Sequence, residues 1–186
     1  LAIDGGSRFL WRFPPRRLEA EVIRDNILLA TGTLDSRMGG PGFSGFRVEA
    51  ENVRHYHPKE NYGPADWRRM LYMTKVRQER EPTFGLFDCP DFNQTVPSRS
   101  RSTTPLQSLS LLNSPFVLQQ AGRLAKRLRH EAGADTRAQV ARACQLALGR
   151  EPTREELADA SGLVAEHTLE AFCRALFNAN EFLFLP

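Results

Sequence analysis

The sequence predicts a mainly α-helical fold that combines a helical domain, a small β-hairpin and a C-terminal bundle of three or four helices. After residue 103 the apolar residues recur at helical spacing, and a capping residue precedes most of these runs: Thr104, Ser114, Asp135 and Thr153. Before residue 103 there is one strong helical pattern, followed by stretches rich in glycine, proline and other turn residues. We therefore expect a single domain over residues 1–186, with a helix, loop and hairpin region in 1–103 and the helical bundle in 104–186.

The composition is that of an ordinary globular protein with a mild basic bias. Of 186 residues, 41% are hydrophobic and 25% are charged, and the formal net charge is +3. That charge is too small for the basic surface of a nucleic-acid-binding protein, so no nucleic-acid partner is predicted. No apolar run approaches the ~20 residues that a membrane-spanning helix needs. The chain starts without Met, and we expect it to be a fragment of a larger domain or protein.

The cysteines and histidines do not predict a metal or haem site. Cys89, Cys144 and Cys173 form no C-x-x-C or C-x-x-C-H motif, which removes the usual zinc, redox and haem-attachment signals. His55 and His57 alternate in a loop, but a metal site needs a third ligand that the sequence does not supply. We therefore predict neither a cofactor nor a metal ion in this chain.

The first helix is predicted over residues 16–31, because two prolines precede it and a glycine follows it. At helical spacing its apolar face is formed by Leu18, Val22, Ile23, Ile27 and Leu29. The opposite, water-facing side is predicted to carry Arg17, Glu21 and Arg24.

Charged residues also occur on the predicted apolar side of this helix. Arg16 and Glu19 fall inside the apolar face, and Asp25 lies on its rim. A buried carboxylate is costly unless it meets a cation. We therefore expect a buried structural ion network that joins the helix to a hairpin over residues 68–91 and contains Arg16, Glu19, Asp25, Arg68 and Arg69.

The middle of the chain is predicted to be mostly loop over residues 35–66, where glycine and proline recur. One short strand there is compatible with Phe43, Phe46 and Val48. Two apolar pieces, residues 68–77 and 84–90, are expected to pair as the small hairpin. A short helix over residues 68–77 is the alternative.

The bundle helices are delimited by local signals. Thr104, Pro105 and Gln107 form a capping box and a first turn. The buried side of that helix is expected at Leu106, Leu109 and Leu112. Later helices are predicted to begin near Ser114, Asp135, Thr153 and Leu169. The apolar residues after the last helix are expected to pack back onto the core.

Three carboxylates are candidates for acid–base catalysis. Asp88 and Asp91 flank Cys89-Pro90 in a turn, so both can face one cleft, and Glu19 is the third candidate. In the alternative interpretation Asp88 ends a strand and Asp91 caps a turn, and neither is catalytic.

Basic residues around the same turn are candidates for binding a sulfate, phosphate or uronate group. They are Lys75, Arg77, Arg99 and Arg101. Arginine suits such ligands because its planar fork matches two oxygens of an oxyanion. The alternative is that these residues neutralise neighbouring carboxylates in a structural network.

Several phrases of the sequence occur together in one known family. They include Phe13-Pro-Pro-Arg-Arg-Leu-Glu-Ala-Glu-Val-Ile-Arg-Asp, Met38-Gly-Gly-Pro, Phe84-Gly-Leu-Phe-Asp-Cys-Pro-Asp, Arg99-Ser-Arg-Ser-Thr-Thr-Pro-Leu-Gln-Ser-Leu and Ala147-Leu-Gly-Arg-Glu-Pro-Thr. With these phrases the chain resembles the planctomycete PSD domain, known as domain of unknown function 1553, over nearly its whole length. It resembles the C-terminal two-thirds of that domain.

The resemblance implies a setting rather than a reaction. Members of the family are typically large secreted or periplasmic proteins, often with a cytochrome c domain and another domain of unknown function upstream. A periplasmic or cell-surface location is therefore expected, haem c would belong elsewhere in the parent protein, and the upstream domains are the implied partners. The family carries no catalytic assignment that transfers to residues of this chain.

Two functions are compatible with these observations. The first is a non-catalytic accessory or assembly module of a large cell-surface or periplasmic protein. The second is part of a hydrolase-like enzyme acting on anionic, sulfated or uronic polysaccharides, with Asp88, Asp91 or Glu19 as acid–base groups. The first is favoured, because the sequence contains no recognisable nucleophile, metal set or cofactor motif.

Overall fold

Helices dominate the structure and the strands are short. The computed structural model describes residues 4, 8–10, 12–13, 15–77, 79–90, 93 and 95–185. The elements in this part of the chain confirm the predicted mainly α fold with a small hairpin.

The first helix begins later than predicted. Arg16–Arg17 form a short strand, β1, and helix α1 spans Ala20–Thr31. Gly32 ends the helix with a φ of 73°. Glycine adopts this left-handed conformation without the steric penalty that a Cβ would bring.

The buried face of α1 differs from the predicted one. Ile23 and Ile27 are buried as expected, but Val22 and Leu29 are 40% and 61% exposed. Arg24, predicted to face water, is only 2% exposed. The face is rotated because aromatic rings and backbone carbonyls from distant segments enclose the Arg24 guanidinium.

The hairpin lies outside the segment predicted for it. Strands β2, β3 and β4 span Phe43–Ser44, Phe46–Ala50 and Arg54–Pro58. β3 pairs antiparallel with β4, with Phe46 opposite Pro58. Apolar and charged residues alternate along β3, which is the period of a strand with two different faces.

Of residues 68–91, those that the structure describes hold short turns instead of a hairpin. The 3-10 turns Met70–Tyr72 and Phe84–Leu86 lie there, and strand β5, Met73–Thr74, pairs in parallel with β2. Gly42 allows this pairing, because a Cβ at that position would collide with the Tyr72 carbonyl oxygen. The hairpin prediction for 68–91 is therefore wrong, because the apolar side chains of this segment bind the core through single turns.

Six helices follow in the described part of the chain: α2 Pro105–Asn113, α3 Pro115–Ala132, α4 Thr136–Leu148, α5 Arg154–Glu166, α6 Leu169–Phe177 and α7 Asn180–Leu183. Helix α3 is central and packs against α1, α2, α4 and α6. Helices α3 to α6 pack together as the C-terminal bundle, for which the sequence predicts three or four helices.

The bundle helices begin where the capping signals predict. The Oγ1 atom of Thr153 accepts a hydrogen bond from the Glu156 N–H at 3.2 Å, and Glu156 Oε2 accepts one from the Thr153 N–H at 2.7 Å. Asp135 Oδ1 accepts a bond from the Arg137 N–H at 3.0 Å. These contacts satisfy N–H groups that the first turn of a helix leaves free.

The buried side of α2 is not the predicted one. Leu106 and Leu109 are 62% and 58% exposed, whereas Gln107 and Leu111 are buried. The Gln107 side-chain amide donates to the Leu86 carbonyl at 2.9 Å and to the Ser102 carbonyl at 3.2 Å. These bonds turn the helix so that its leucines at positions 106 and 109 face outward.

The C-terminal residues return to the start of the chain, as predicted. Strand β6, Phe184–Leu185, pairs antiparallel with β1, and the Leu18 N–H donates to the Leu183 carbonyl at 2.8 Å. Phe182 and Leu183 are buried in the same hydrophobic core as α1 and α3. This return places Phe184 beside the two arginines of β1.

Candidate functional site

Asp88 is the most heavily bonded of the candidate carboxylates. Its Oδ2 atom accepts hydrogen bonds from Arg17 Nη2 at 2.6 Å and from the Ser102 N–H at 2.7 Å. Its Oδ1 atom accepts a bond from Ser102 Oγ at 2.9 Å. The side chain therefore joins β1, the turn after Phe84–Leu86 and the segment that leads into α2.

The backbone of Asp88 lies in the left-handed region, with a φ of 57°. Aspartate and asparagine tolerate this region better than most residues with a Cβ. The conformation aims the carboxylate at Arg17 and Ser102, and only 17% of the side chain is exposed. Both oxygens are used in holding the three segments together.

Arg17 is the cation of this group, although the sequence predicted that it faces water. Its side chain is 7% exposed, and its guanidinium lies 5.2 Å from the centre of the Phe87 ring. Nη2 donates hydrogen bonds to Asp88 Oδ2 and, at 3.4 Å, to the Phe87 carbonyl. The Nε and Nη1 atoms are buried, and neither has a hydrogen-bond partner in the described part of the chain.

Glu19 shares a cation with Glu21 at the start of α1. Arg99 Nη1 lies 3.1 Å from Glu19 Oε2 and 2.8 Å from Glu21 Oε2, and Arg16 Nη2 is 3.7 Å from Glu19 Oε1. Burial opposes ionisation of Glu21, but the hydrogen bond from Arg99 and its positive charge outweigh this, so the Glu21 pKa is lowered. The Glu19 side chain is 43% exposed, so the expectation that it is buried is wrong.

Asp25 belongs to a different group on the same helix. Its Oδ1 atom accepts a bond from the Met70 N–H at 2.8 Å, and its Oδ2 atom lies 3.6 Å from Arg69 Nε. Burial raises the Asp25 pKa, although the Met70 N–H and the positive charge of Arg24 oppose the shift. The five residues of the predicted ion network therefore do not form one buried joint, because Asp25 and Arg69 are separate from Arg16 and Glu19.

Arg68 holds the glycine-rich loop that precedes β2. Its buried guanidinium lies 3.9 Å from the centre of the Tyr72 ring. It donates to three backbone carbonyls of that loop, those of Arg37, Gly39 and Pro41. Arg68 thus stabilises the loop through hydrogen bonds to its backbone.

Arg24 is the buried cation that the sequence assigned to the surface. It donates to the Arg68 carbonyl at 2.8 Å and to the Asp66 carbonyl. The rings of Phe43 and Phe116 lie on it, with centres 4.7 and 5.0 Å from Cζ. Burial lowers the Arg24 pKa to about 10, so the guanidinium is charged at neutral pH.

A cavity of ≈ 200 Å³, called the Cys89 cavity below, is lined by Lys75, Cys89 and Glu81, three titratable groups that the sequence does not bring together. Lys75 Nζ lies 3.0 Å from Cys89 Sγ, and burial raises the pKa of that thiol. Glu81 also lines the cavity, and its Oε2 atom accepts bonds from the Thr83 and Phe84 N–H groups. Burial raises the Glu81 pKa despite these bonds. The sequence signal for Glu81, an acidic residue just before Pro82-Thr83, is too common to single it out.

The candidate anion-binding residues do not converge on one point. Lys75 lines the Cys89 cavity, Arg99 is engaged by two glutamates, and Arg77 and Arg101 are exposed. Asp91, the second candidate acid of the turn, lies outside the described residues, so its proximity to Asp88 stays a prediction.

In the ranges that the structure describes, no group of three or more His, Cys, Asp or Glu side chains could hold a metal ion. Over the same ranges no helix is both long and apolar enough to span a bilayer. Cys144 and Cys173 are buried free thiols on the helices of the bundle.

Comparison with known proteins gives one finding. No curated protein matches the chain significantly, and neither does any solved structure. A family model described as "PSD1: Protein of unknown function (DUF1553)" matches residues 1–164. This range includes β1, α1, the Asp88 turn and most of the bundle. The chain therefore belongs to the PSD1 family of proteins of unknown function, DUF1553.

Proposed function

We propose that this chain is a non-catalytic accessory or assembly module of a larger periplasmic or cell-surface protein. The main support is the bonding of Asp88: its two carboxylate oxygens accept hydrogen bonds from Arg17 and Ser102. A general acid or base needs an oxygen within hydrogen-bond reach of the substrate. Asp88 instead closes a junction between three chain segments, which is the task of a structural residue.

Exposed leucines on α2 support a role in assembly. Leu106 and Leu109 are more than half exposed, and Val96, in the preceding segment, is 47% exposed. The same segment carries Arg99 and Ser102, whose bonds fix it to α1 and to the Asp88 turn. An apolar surface on a rigidly held helix suits contact with another protein domain. By the family resemblance, this would be an upstream domain of the same planctomycete-type parent, in which a cytochrome c domain would carry any haem c.

A binding measurement tests this proposal. The upstream region of the parent and this chain are produced separately, and their association is measured by isothermal titration calorimetry. The double variant Leu106→Gln, Leu109→Gln keeps good helix formers and is expected to weaken association at least tenfold, because each leucine loses about 1 kcal/mol or more of buried apolar contact. The matched control is Leu71→Gln, an exposed leucine on a different element.

The outcome that contradicts the assembly role is a double variant that binds as tightly as the unchanged chain. Absence of any association between the two parts would contradict it equally. Circular dichroism of each variant shows that the comparison is made on folded protein.

A hydrolase-like activity on anionic, sulfated or uronic polysaccharides is the second candidate, and Glu81 is the observation that favours it. This carboxyl lines the Cys89 cavity and has a pKa raised by burial, which is a property of many general acids. Lys75 lines the same cavity and could attract an anionic sugar. In this proposal Glu81, together with or instead of Asp88, Asp91 and Glu19, would supply the proton.

A cleavage screen separates the two candidates. The chain, its longer parent and the variants Glu81→Gln and Asp88→Asn are incubated with sulfated and uronic polysaccharides, and new reducing ends are measured. Cleavage that is lost in Glu81→Gln and retained in Glu155→Gln, a control at an exposed glutamate of α5, supports the enzyme. Absence of cleavage by both the chain and its parent removes this candidate.

A further inference from the structure

We propose that the cavity between β1, β6 and the segment before α2 binds an oxyanion group, namely a sulfate, phosphate or carboxylate. It is distinct from the Cys89 cavity, and it is independent of both functions proposed above. Its volume is ≈ 310 Å³, within the range of small-molecule pockets. The charged residues that line it are Arg16, Arg17 and Arg101.

The charge around this cavity is unbalanced. No carboxylate is among its lining residues in the described part of the chain. Asp88 neutralises Arg17 through Nη2 and is not among the lining residues. Glu19 is 3.7 Å from Arg16 but closer to Arg99, at 3.1 Å. The surplus positive charge therefore falls to Arg101, whose side chain has no ion pair or hydrogen bond among the described residues.

Arg17 provides the second, independent observation. Its side chain is more than nine-tenths buried, yet Nε and Nη1 have no hydrogen-bond partner among the residues that the structure describes. A buried guanidinium N–H without an acceptor is costly, whereas a charged acceptor makes a strong hydrogen bond with it. An oxyanion bound beside Arg17 is the kind of charged acceptor that these N–H groups lack. The bond from Arg17 to Asp88 uses Nη2 and not these two nitrogens.

The other walls of the cavity indicate what the oxyanion is attached to. Phe13 and Phe184 line it together with the arginines, and Ser102 contributes a polar edge. Strand pairing fixes Phe184 opposite Arg17. An oxyanion on a small molecule with an apolar or ring-shaped face would use both kinds of wall. A free inorganic ion would use only the arginines.

Calorimetric titration of the full 186-residue chain tests the site with defined probes. Inorganic sulfate, inorganic phosphate, phenyl phosphate and glucuronate are titrated at constant ionic strength held with chloride. Saturable one-to-one binding of at least one probe is expected. Tighter binding of phenyl phosphate than of inorganic phosphate would show that the group is carried on an organic molecule, and equal binding would show a site for the free ion.

Variant Arg101→Gln tests whether the probe binds in this cavity. Arg101 is exposed and makes no bond within the described residues, so the fold should be unaffected, and loss of one charge-assisted contact is expected to weaken binding about tenfold. Arg54→Gln is the matched control, since Arg54 is an exposed arginine on β4 and lines none of the cavities described above. The proposal is overturned if no probe saturates, or if Arg101→Gln and Arg54→Gln bind as tightly as the unchanged chain.

Discussion

Replacement of Arg24 by methionine should destabilise the protein strongly. Methionine keeps a long, flexible side chain between Phe43 and Phe116, so the change removes charge and donors more than volume. It leaves the buried carbonyls of Asp66 and Arg68 without the donors that now serve them. The perturbation therefore isolates the polar function of a buried cation.

The expected loss follows from these contacts. A hydrogen bond from a charged donor contributes about 1.5–3 kcal/mol, and Arg24 makes two. Loss of a buried cation also leaves the Asp25 carboxylate, 3.8 Å away, with Arg69 as its one remaining ion-pair partner among the described residues. Breaking a buried charged contact typically costs about 3–5 kcal/mol, so a loss of about 4 kcal/mol is expected for Arg24→Met.

Urea unfolding at pH 7, followed by circular dichroism, measures this loss. The free energy of unfolding of Arg24→Lys should lie between those of the unchanged protein and Arg24→Met. An ammonium group keeps the charge but cannot donate to two carbonyls with a rigid fork. Arg54→Met, at an exposed site on β4, should change the free energy of unfolding by no more than about 0.5 kcal/mol. A loss below about 1 kcal/mol in Arg24→Met would refute the assignment of Arg24 as the cation that holds α1 to residues 66–68.

Three further predictions concern exposed pairs and thiols. Glu19→Gln should lower the free energy of unfolding by at most about 1 kcal/mol in the same urea assay, because the Glu19 side chain is 43% exposed. A loss of about 3 kcal/mol would instead support the buried ion network expected from the sequence. Hydrogen bonds from Arg150 lower the Glu156 pKa to about 2, so the unfolded state binds more protons between pH 4.5 and 2 and this stabilisation is lost as the pH falls through that window. Arg150→Gln should therefore flatten the acid side of a Tm-against-pH curve, and an unchanged curve would contradict the pairing. Burial raises the Cys173 pKa to about 12 and also raises that of Cys89, so a disulfide reagent at pH 8 should leave Cys173 unmodified and modify Cys89 more slowly than free cysteine; rapid reaction of both would contradict these positions.

The parts of the fold that could be predicted depend on local signals. The capping box of Thr153 and Glu156 lies within four residues, and both of its hydrogen bonds occur in the structure. The same holds for the cap at Asp135. Such contacts are fixed by neighbouring residues, so the sequence predicts the start of these helices without knowledge of the tertiary structure.

The parts that could not be predicted depend on distant residues. Arg24 counts as polar in any helical pattern, and its burial requires Phe116, which lies 92 positions later. Gln107 turns α2 by bonding to Leu86, 21 positions earlier. Two-residue strands such as β2 and β5 carry no period at all, so their parallel pairing cannot be predicted from the sequence.

Of the candidate site, the sequence identified Asp88, Arg99 and Arg101 but not their partners. The helical pattern over residues 16–31 predicts Arg17 on the water-facing side, but Arg16–Arg17 form a strand, which turns this side chain inward. Ser102 gave no signal beyond its position in a polar segment. The roles of these residues in binding or catalysis remain predictions for the experiments above.

The free energy of unfolding of Asp88→Asn tests the structural role of Asp88 most directly. Asparagine tolerates the left-handed conformation at this position, with its φ of 57°, so the change removes charge without altering backbone preference. If Asp88 is structural, Asp88→Asn should lower the free energy of unfolding by about 2 kcal/mol, because the buried Arg17 guanidinium loses its anion and Ser102 loses a charged acceptor. Equal or higher stability of Asp88→Asn would contradict the account, since that is the behaviour of a carboxylate kept for function at the expense of stability.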